Sequence, residues 1–213
     1  MRRIFWILVF GITMALVEAA VVVYLRALYY PEGFAFPLKM ITVPHLIVEL
    51  GREAATIFML LSVAALSGKR FWEKFAYFII CFGFWDICYY LWLKLALGWP
   101  SSLLDWDILF LIPLPWIGPV IAPVSIAIMM ILAGLLITAL YKGGYDFRPS
   151  LLTWVLTIIG TLTILYSFMR DIGAGLHQQM PRPYRYDLLI AGEILYVLAL
   201  FLAWRNTVHK SGS

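Results

Sequence analysis

Three charged side chains interrupt the apolar stretch HLIVELGREAATIFMLL, and their spacing is the first sign of chemistry in this chain. His45, Glu49 and Glu53 recur every four residues, so on a helix they share one stripe, with Arg52 three residues after Glu49. An imidazole and two carboxylates on one face form a donor set for a divalent metal such as iron, manganese or zinc. His45, Glu49 and Glu53 are therefore the candidate metal ligands, although the Glu-x-x-His of di-iron bundles and the His-Glu-x-x-His of zincins are both absent. The same carboxylates suit a second chemistry. Acids crowded in a low dielectric acquire unequal proton affinities, which is what acid–base catalysis requires.

More acids lie in comparable surroundings. Asp86, Tyr90 and Lys94 share a helix face at i, i+4 and i+8, flanked by Phe82, Phe84, Trp85 and Trp92. Glu18 falls inside the first apolar run, Glu193 inside the last, and Arg170 at the end of the fifth. A charge facing lipid at the bilayer centre costs about 2.5–3.5 kcal/mol. Three on one helix would cost roughly 7–10 kcal/mol, comparable to the net stability of a whole protein. Glu49, Arg52 and Glu53 are thus expected to face other helices.

The elements that must hold these residues are apolar helices. Of 213 residues, 63% are hydrophobic and 13% charged, against about 25% charged in soluble domains. Runs of spanning length occur at 4–28, 44–67, 72–97, 117–141, 151–170 and 186–204, separated by loops rich in Gly, Pro and Ser. The first run follows Met-Arg-Arg but is too long for a signal peptide, so it reads as a retained span. No internal repeat is visible. Cys81 and Cys88 lie seven helical residues apart, about 10 Å, too far for a disulfide.

The net charge of +4 is spread out rather than gathered into a stripe, which argues against nucleic-acid binding. With the N-terminus inside, the inner ends hold Arg2, Arg3, Lys69, Arg70, Lys74, Lys142, Arg148, Arg205 and Lys210. The outer segments hold Arg26, Lys39, Arg170, Arg182 and Arg185, so basic side chains favour cytoplasmic termini in an inner membrane. The 98–119 segment, GWPSSLLDWDILFLIPLPWIGP, is too short and Pro-interrupted to span. Its Trp99, Trp106 and Trp116 suit the membrane interface, and a short interfacial or re-entrant helix is expected near 101–111.

The expectation is an all-α polytopic bundle: one domain over 1–210, six spans, and a remnant of cloning at 211–213. In this orientation nearly all the buried charges lie between mid-membrane and the outer face. Glu18, Glu49, Glu53, Asp86 and Glu193 outnumber Arg52 and Lys94, so a pocket open to the outside is expected. Glu49, Glu53, Asp86 and Glu193 are its candidate catalytic carboxylates; Arg52, Tyr90, Lys94, Glu18 and Arg170 are its candidate ligand contacts. Membrane lipids are the expected surroundings, and an amphiphile (lipid, isoprenoid or quinone) is the expected ligand. A proton- or cation-coupled transporter and an accessory subunit of a larger complex are the alternatives; no cofactor other than a divalent metal and no particular protein partner is indicated.

Overall fold

The structure, a computed structural model, describes residues 2–39, 41–112 and 114–209. Lys210, residues 211–213 and Pro113 of the Pro-rich loop lie outside the described residues. The described residues form six long helices, one five-residue helix and a β-hairpin. In order these are α1 (Arg2–Tyr29), α2 (Val43–Ser67), α3 (Phe71–Leu97), β1 (Trp106–Phe110), β2 (Trp116–Pro119), α4 (Ile121–Lys142), α5 (Leu151–Met169), α6 (Ile172–Leu176) and α7 (Tyr186–His209).

Five of the long helices, α1, α3, α4, α5 and α7, are long and apolar enough to cross a membrane, which is compatible with an integral membrane protein. The sixth, α2, has 25 residues and rises about 37 Å, but Glu49, Arg52 and Glu53 sit in its first half. It is started by Pro44, whose missing N–H costs nothing in a first turn, and stopped at Gly68. Gly98 ends α3 in the left-handed conformation, φ 68°, and its N–H returns to the Lys94 carbonyl.

α3 is the hub, packing against α1, α2 and α4, while α5 and α7 form a second pair joined to it through α4–α7 contacts and β2. Small residues set the crossings. A Cβ on Gly83 would lie 2.6 Å from the Ala127 carbonyl oxygen, and one on Gly134 would lie 2.7 Å from that of Ala76. The α5–α7 crossing is slightly wider, a Cβ on Gly160 lying 3.0 Å from the Gly192 carbonyl oxygen. Helices in lipid associate through such backbone approach, having little hydrophobic drive between them.

The expected helix near 101–111 is not formed. Asp105 Oδ2 accepts the Ser101 amide (2.6 Å), the Ser101 hydroxyl (2.8 Å) and the Ser102 amide (3.3 Å), folding the segment into a turn. The chain then runs out as β1 and returns antiparallel as β2, with Trp106 opposite Pro119, Asp107 opposite Gly118 and Ile108 opposite Ile117. A short apolar run bounded by prolines is as consistent with a buried strand as with a helix, and here Pro115 and Pro119 exclude helical continuation.

Because the Ala76 carbonyl opposes a larger residue together with the Ile80 side chain, Gly134→Ile should destabilise the α3–α4 pair by about 1–3 kcal/mol. Equilibrium unfolding in mixed micelles measures this; an unchanged transition would show that the crossing is loose.

Candidate functional site

The buried charges gather where the end of α1, the start of α2 and the end of α3 meet. Glu18 stands 11 residues before the end of α1 and Asp86 11 before the end of α3, both about 16 Å from those ends. Glu53 stands 10 residues into α2, at a similar depth of about 15 Å. The three helices therefore bring these acids to one level.

Arg52 organises the α1–α2 side. Its Nε donates to Glu49 Oε2 at 2.9 Å, its Nη2 pairs with Glu49 Oε1, and its Nη1 pairs with Glu18 on α1. The Thr56 hydroxyl donates to Glu18 Oε2 at 3.0 Å. Glu18, Glu49 and Thr56 are all buried. Glu53, 4% exposed, turns to the hairpin instead, and both its oxygens accept the Leu111 amide at 3.0 Å. This contact fastens the hairpin to α2.

A second pair completes the roof. Arg26 Nη2 donates to Asp107 Oδ1 at 3.1 Å, and Asp107 is only 3% exposed. The Arg26 guanidinium lies 3.7 Å from the Trp99 ring centre and 4.2 Å from that of Phe34, so aromatic faces replace part of its lost hydration. Burial pushes the Asp107 carboxyl up to about 6, although Arg26 and hydrogen bonds from the Ile108 amide and Tyr90 oppose the rise.

These groups border a cavity of about 110 Å³, lined by Glu18, Glu49, Arg52, Glu53, Asp86 and Tyr90 together with Arg26 and Asp107. Trp85, Tyr89, Tyr29 and Phe110 supply aromatic wall. Of the lining side chains five are carboxylates and two are arginines, and both arginines are already engaged. Asp86 makes no hydrogen bond or ion pair among the described residues. Arg26 Nη1 and Trp85 Nε1 are buried without a hydrogen-bond partner among the same residues.

Not every residue expected at the pocket lies there. Glu193 is on α7, away from the cavity, with Oε1 buried and no hydrogen bond to it among the described residues. Lys94 does not meet Asp86; its ammonium donates to the Gly98 and Pro100 carbonyls at 3.1 and 2.8 Å, closing the end of α3. Arg170 follows the end of α5, outside the cavity lining, and forms no ion pair with Glu193. His45 points to Tyr29, with Nδ1 2.5 Å from the phenol oxygen, rather than joining Glu49 and Glu53. Among the described residues no three His, Cys, Asp or Glu side chains are grouped to hold a metal ion.

Two members, Arg26 and Asp107, were not anticipated. Arg26 sits in the last turn of a span, where cations are ordinarily placed to meet carbonyls and interface. Asp107 becomes visible only once WDILF is read as a strand, since it then occupies an inward position of an otherwise apolar hairpin. Comparison with known proteins offers no precedent: no family model, curated protein or solved structure matches the chain.

With a folded value near 6, above the roughly 3.9 of an exposed aspartate, Asp107 ionises at a cost to the fold. Its contribution to stability is full below about pH 4 and is lost as pH rises through 6. The protonated-carboxyl infrared component that is lost in Asp107→Asn should titrate in the intact protein with its midpoint near pH 6. A band that disappears near pH 4 in the intact protein would show that the hairpin leaves Asp107 hydrated.

Proposed function

We propose that this is a six-span inner-membrane protein with cytoplasmic termini, and that its cavity binds, as a site for acid–base chemistry, the polar head of an amphiphile entering from the outer leaflet. The observation that carries the reading is the cavity walled by five carboxylates, two engaged arginines and aromatic rings. Crossing by α2 is supported by where its charges lie: Glu49 and Glu53 are 8% and 4% exposed and turn to Arg52 and the hairpin. The lipid-facing penalty that argues against such a span is thereby avoided. The orientation is supported by Arg2, Arg3, Lys69, Arg70, Lys74, Lys142, Arg148 and Arg205, which all fall at the helix ends opposite the cavity.

The cavity also narrows the head group. Small-molecule sites usually measure about 300–1,000 Å³, so about 110 Å³ admits a head and leaves the tail outside. Arg52 and Lys94 are already committed, to Glu18 and Glu49 and to two carbonyls respectively, which disfavours an anionic group. The uncompensated acids, Asp86 above all, favour a positively charged nitrogen, and the aromatic wall stabilises it further. Arg26 Nη1 and Trp85 Nε1 need an acceptor. A head bearing both an ammonium and an oxygen satisfies both demands, with Asp86 and Glu53 placed to exchange its proton.

A channel is disfavoured by packing. Below the cavity the α1–α2–α3 interface is filled by Met14, Ala15, Leu60, Ala64, Ile80 and Cys81, all buried. The polar site ends there as a pocket.

Protein extracted from its own membrane in mild detergent should carry an amphiphile with a basic head, seen by native mass spectrometry. Asp86→Asn should lower its retention by about tenfold or more with an unchanged melting curve, because Asp86 holds nothing together. Glu53→Gln should retain the fold, since its amide oxygen still accepts from Leu111, and lose activity. Variants that unfold, or an Asp86→Asn protein that keeps the adduct, would make the carboxylates structural staples.

A further inference from the structure

A larger cavity lies elsewhere, and the polar site makes no use of it. It is a cleft of about 350 Å³ between the α3–α4 pair and the α5–α7 pair. α4 and α5 are consecutive but diverge, α5 packing chiefly on α7. The walls are apolar, with Met130 and Ala133 on one side and Leu200 and Ala203 on the other. The hydroxyls along α5 ask nothing of an occupant: Thr157 donates to the Thr153 carbonyl and Thr161 to the Thr157 carbonyl, each at 2.8 Å. From Thr153 to Thr161 the wall rises about 12 Å, a tall, narrow shape.

The mouth has a different character. Trp72, Phe147 and Trp154 form a ring cluster there, with Trp72 5.1 Å from Phe147 and 5.8 Å from Trp154, and Phe71 and Trp154 are exposed. Arg70 immediately precedes the lining residue Phe71, and Arg148 lies between the lining residues Phe147 and Pro149. Both are well exposed, and both pair with the single carboxylate of Asp146, so the rim remains positive.

We infer that this cleft binds one acyl chain of an anionic phospholipid, with the lipid phosphate against Arg70 and Arg148. The leaflet is the one opposite the carboxylate cavity. Aromatic rings at the mouth lie at head-group depth, the arginines supply the charge complement, and the recess takes a hydrocarbon tail without an unpaired hydrogen bond. A second copy of this chain meets the geometry less well, because a helix of width about 10 Å cannot enter a recess flanked on both sides by helices.

The test uses the whole protein in nanodiscs containing phosphatidylcholine and a trace of phosphatidylglycerol with a photoreactive group at its acyl terminus. Crosslinks are expected on α5 and α7 peptides facing the cleft. Thr157→Phe, or Ala133→Phe from the opposite wall, should abolish them. Arg70→Gln with Arg148→Gln should lower labelling about tenfold, while a phosphatidylcholine photoprobe labels the cleft weakly in every form. Equal labelling of the lipid-facing residues of α1, or labelling unmoved by both cleft-filling variants, would overturn the assignment. So would a dimer that dissociates when Thr157 is enlarged while lipid labelling stays constant.

Discussion

A carboxylate removed from water must be compensated, and that requirement governs this architecture more than any apolar contact. Desolvating a single ion costs several kcal/mol, and removing one partner of a buried pair costs about 3–5 kcal/mol. Arg52 is the shared answer for Glu18 and Glu49. It also links α1 to α2, helices that each pack more extensively on α3 than on one another. Glu53 obtains compensation from the hairpin backbone, and Asp107 from Arg26. The hairpin is thus placed by electrostatics at two points, and its aromatic residues then pack where those bonds allow: Trp116 stacks on Phe168 and Trp106 meets Tyr184 edge-on.

Such placement divides the molecule. The end carrying α1's C-terminus is polar inside and roofed, while the opposite half of the α3–α4–α5–α7 group is hollow, apolar and rimmed by positive charge. Between them stand the glycine crossings and the fully buried Leu60, Ile80 and Cys81. Rigid crossings matter to both cavities. Gly83 and Gly134 seat α4 against α3, which fixes the near wall of the cleft and also the point from which the hairpin leads back into α4.

Much of this was legible in the residues. The four-residue spacing of Glu49 and Glu53 gave a helix face that the cost of lipid exposure turns inward, whereas His45 on the same stripe is exposed and meets Tyr29. Asp86 and Tyr90 could be added because they share a face on an equally apolar helix. Even the ratio of acids to bases holds, although its members change: Asp107 stands where Glu193 was expected, and Arg26 where Lys94 was. Spacing reports which residues share a helix face and says nothing about which helices meet. Hence Glu193 faced the right way on a helix that packs elsewhere. The hairpin was hidden for another reason: five residues of WDILF carry too little periodicity to separate strand from helix, and the Asp105 turn that decides the matter depends on Ser101 and Ser102.

Lys94 shows why charge counting alone misassigns partners. Asp86 is a helical neighbour two turns back, yet the lysine stem is long enough to reach the unpaired carbonyls beyond the end of α3, and it takes them. Carbonyls at a helix terminus are fixed, numerous and otherwise unsatisfied, whereas a buried carboxylate can share cavity water or a bound cation. Leaving Asp86 without a resident base keeps one wall of the cavity electrostatically incomplete. An ion pair there would fill the space and neutralise the charge together, so the diversion of Lys94 to the helix end is what keeps the pocket both open and acidic.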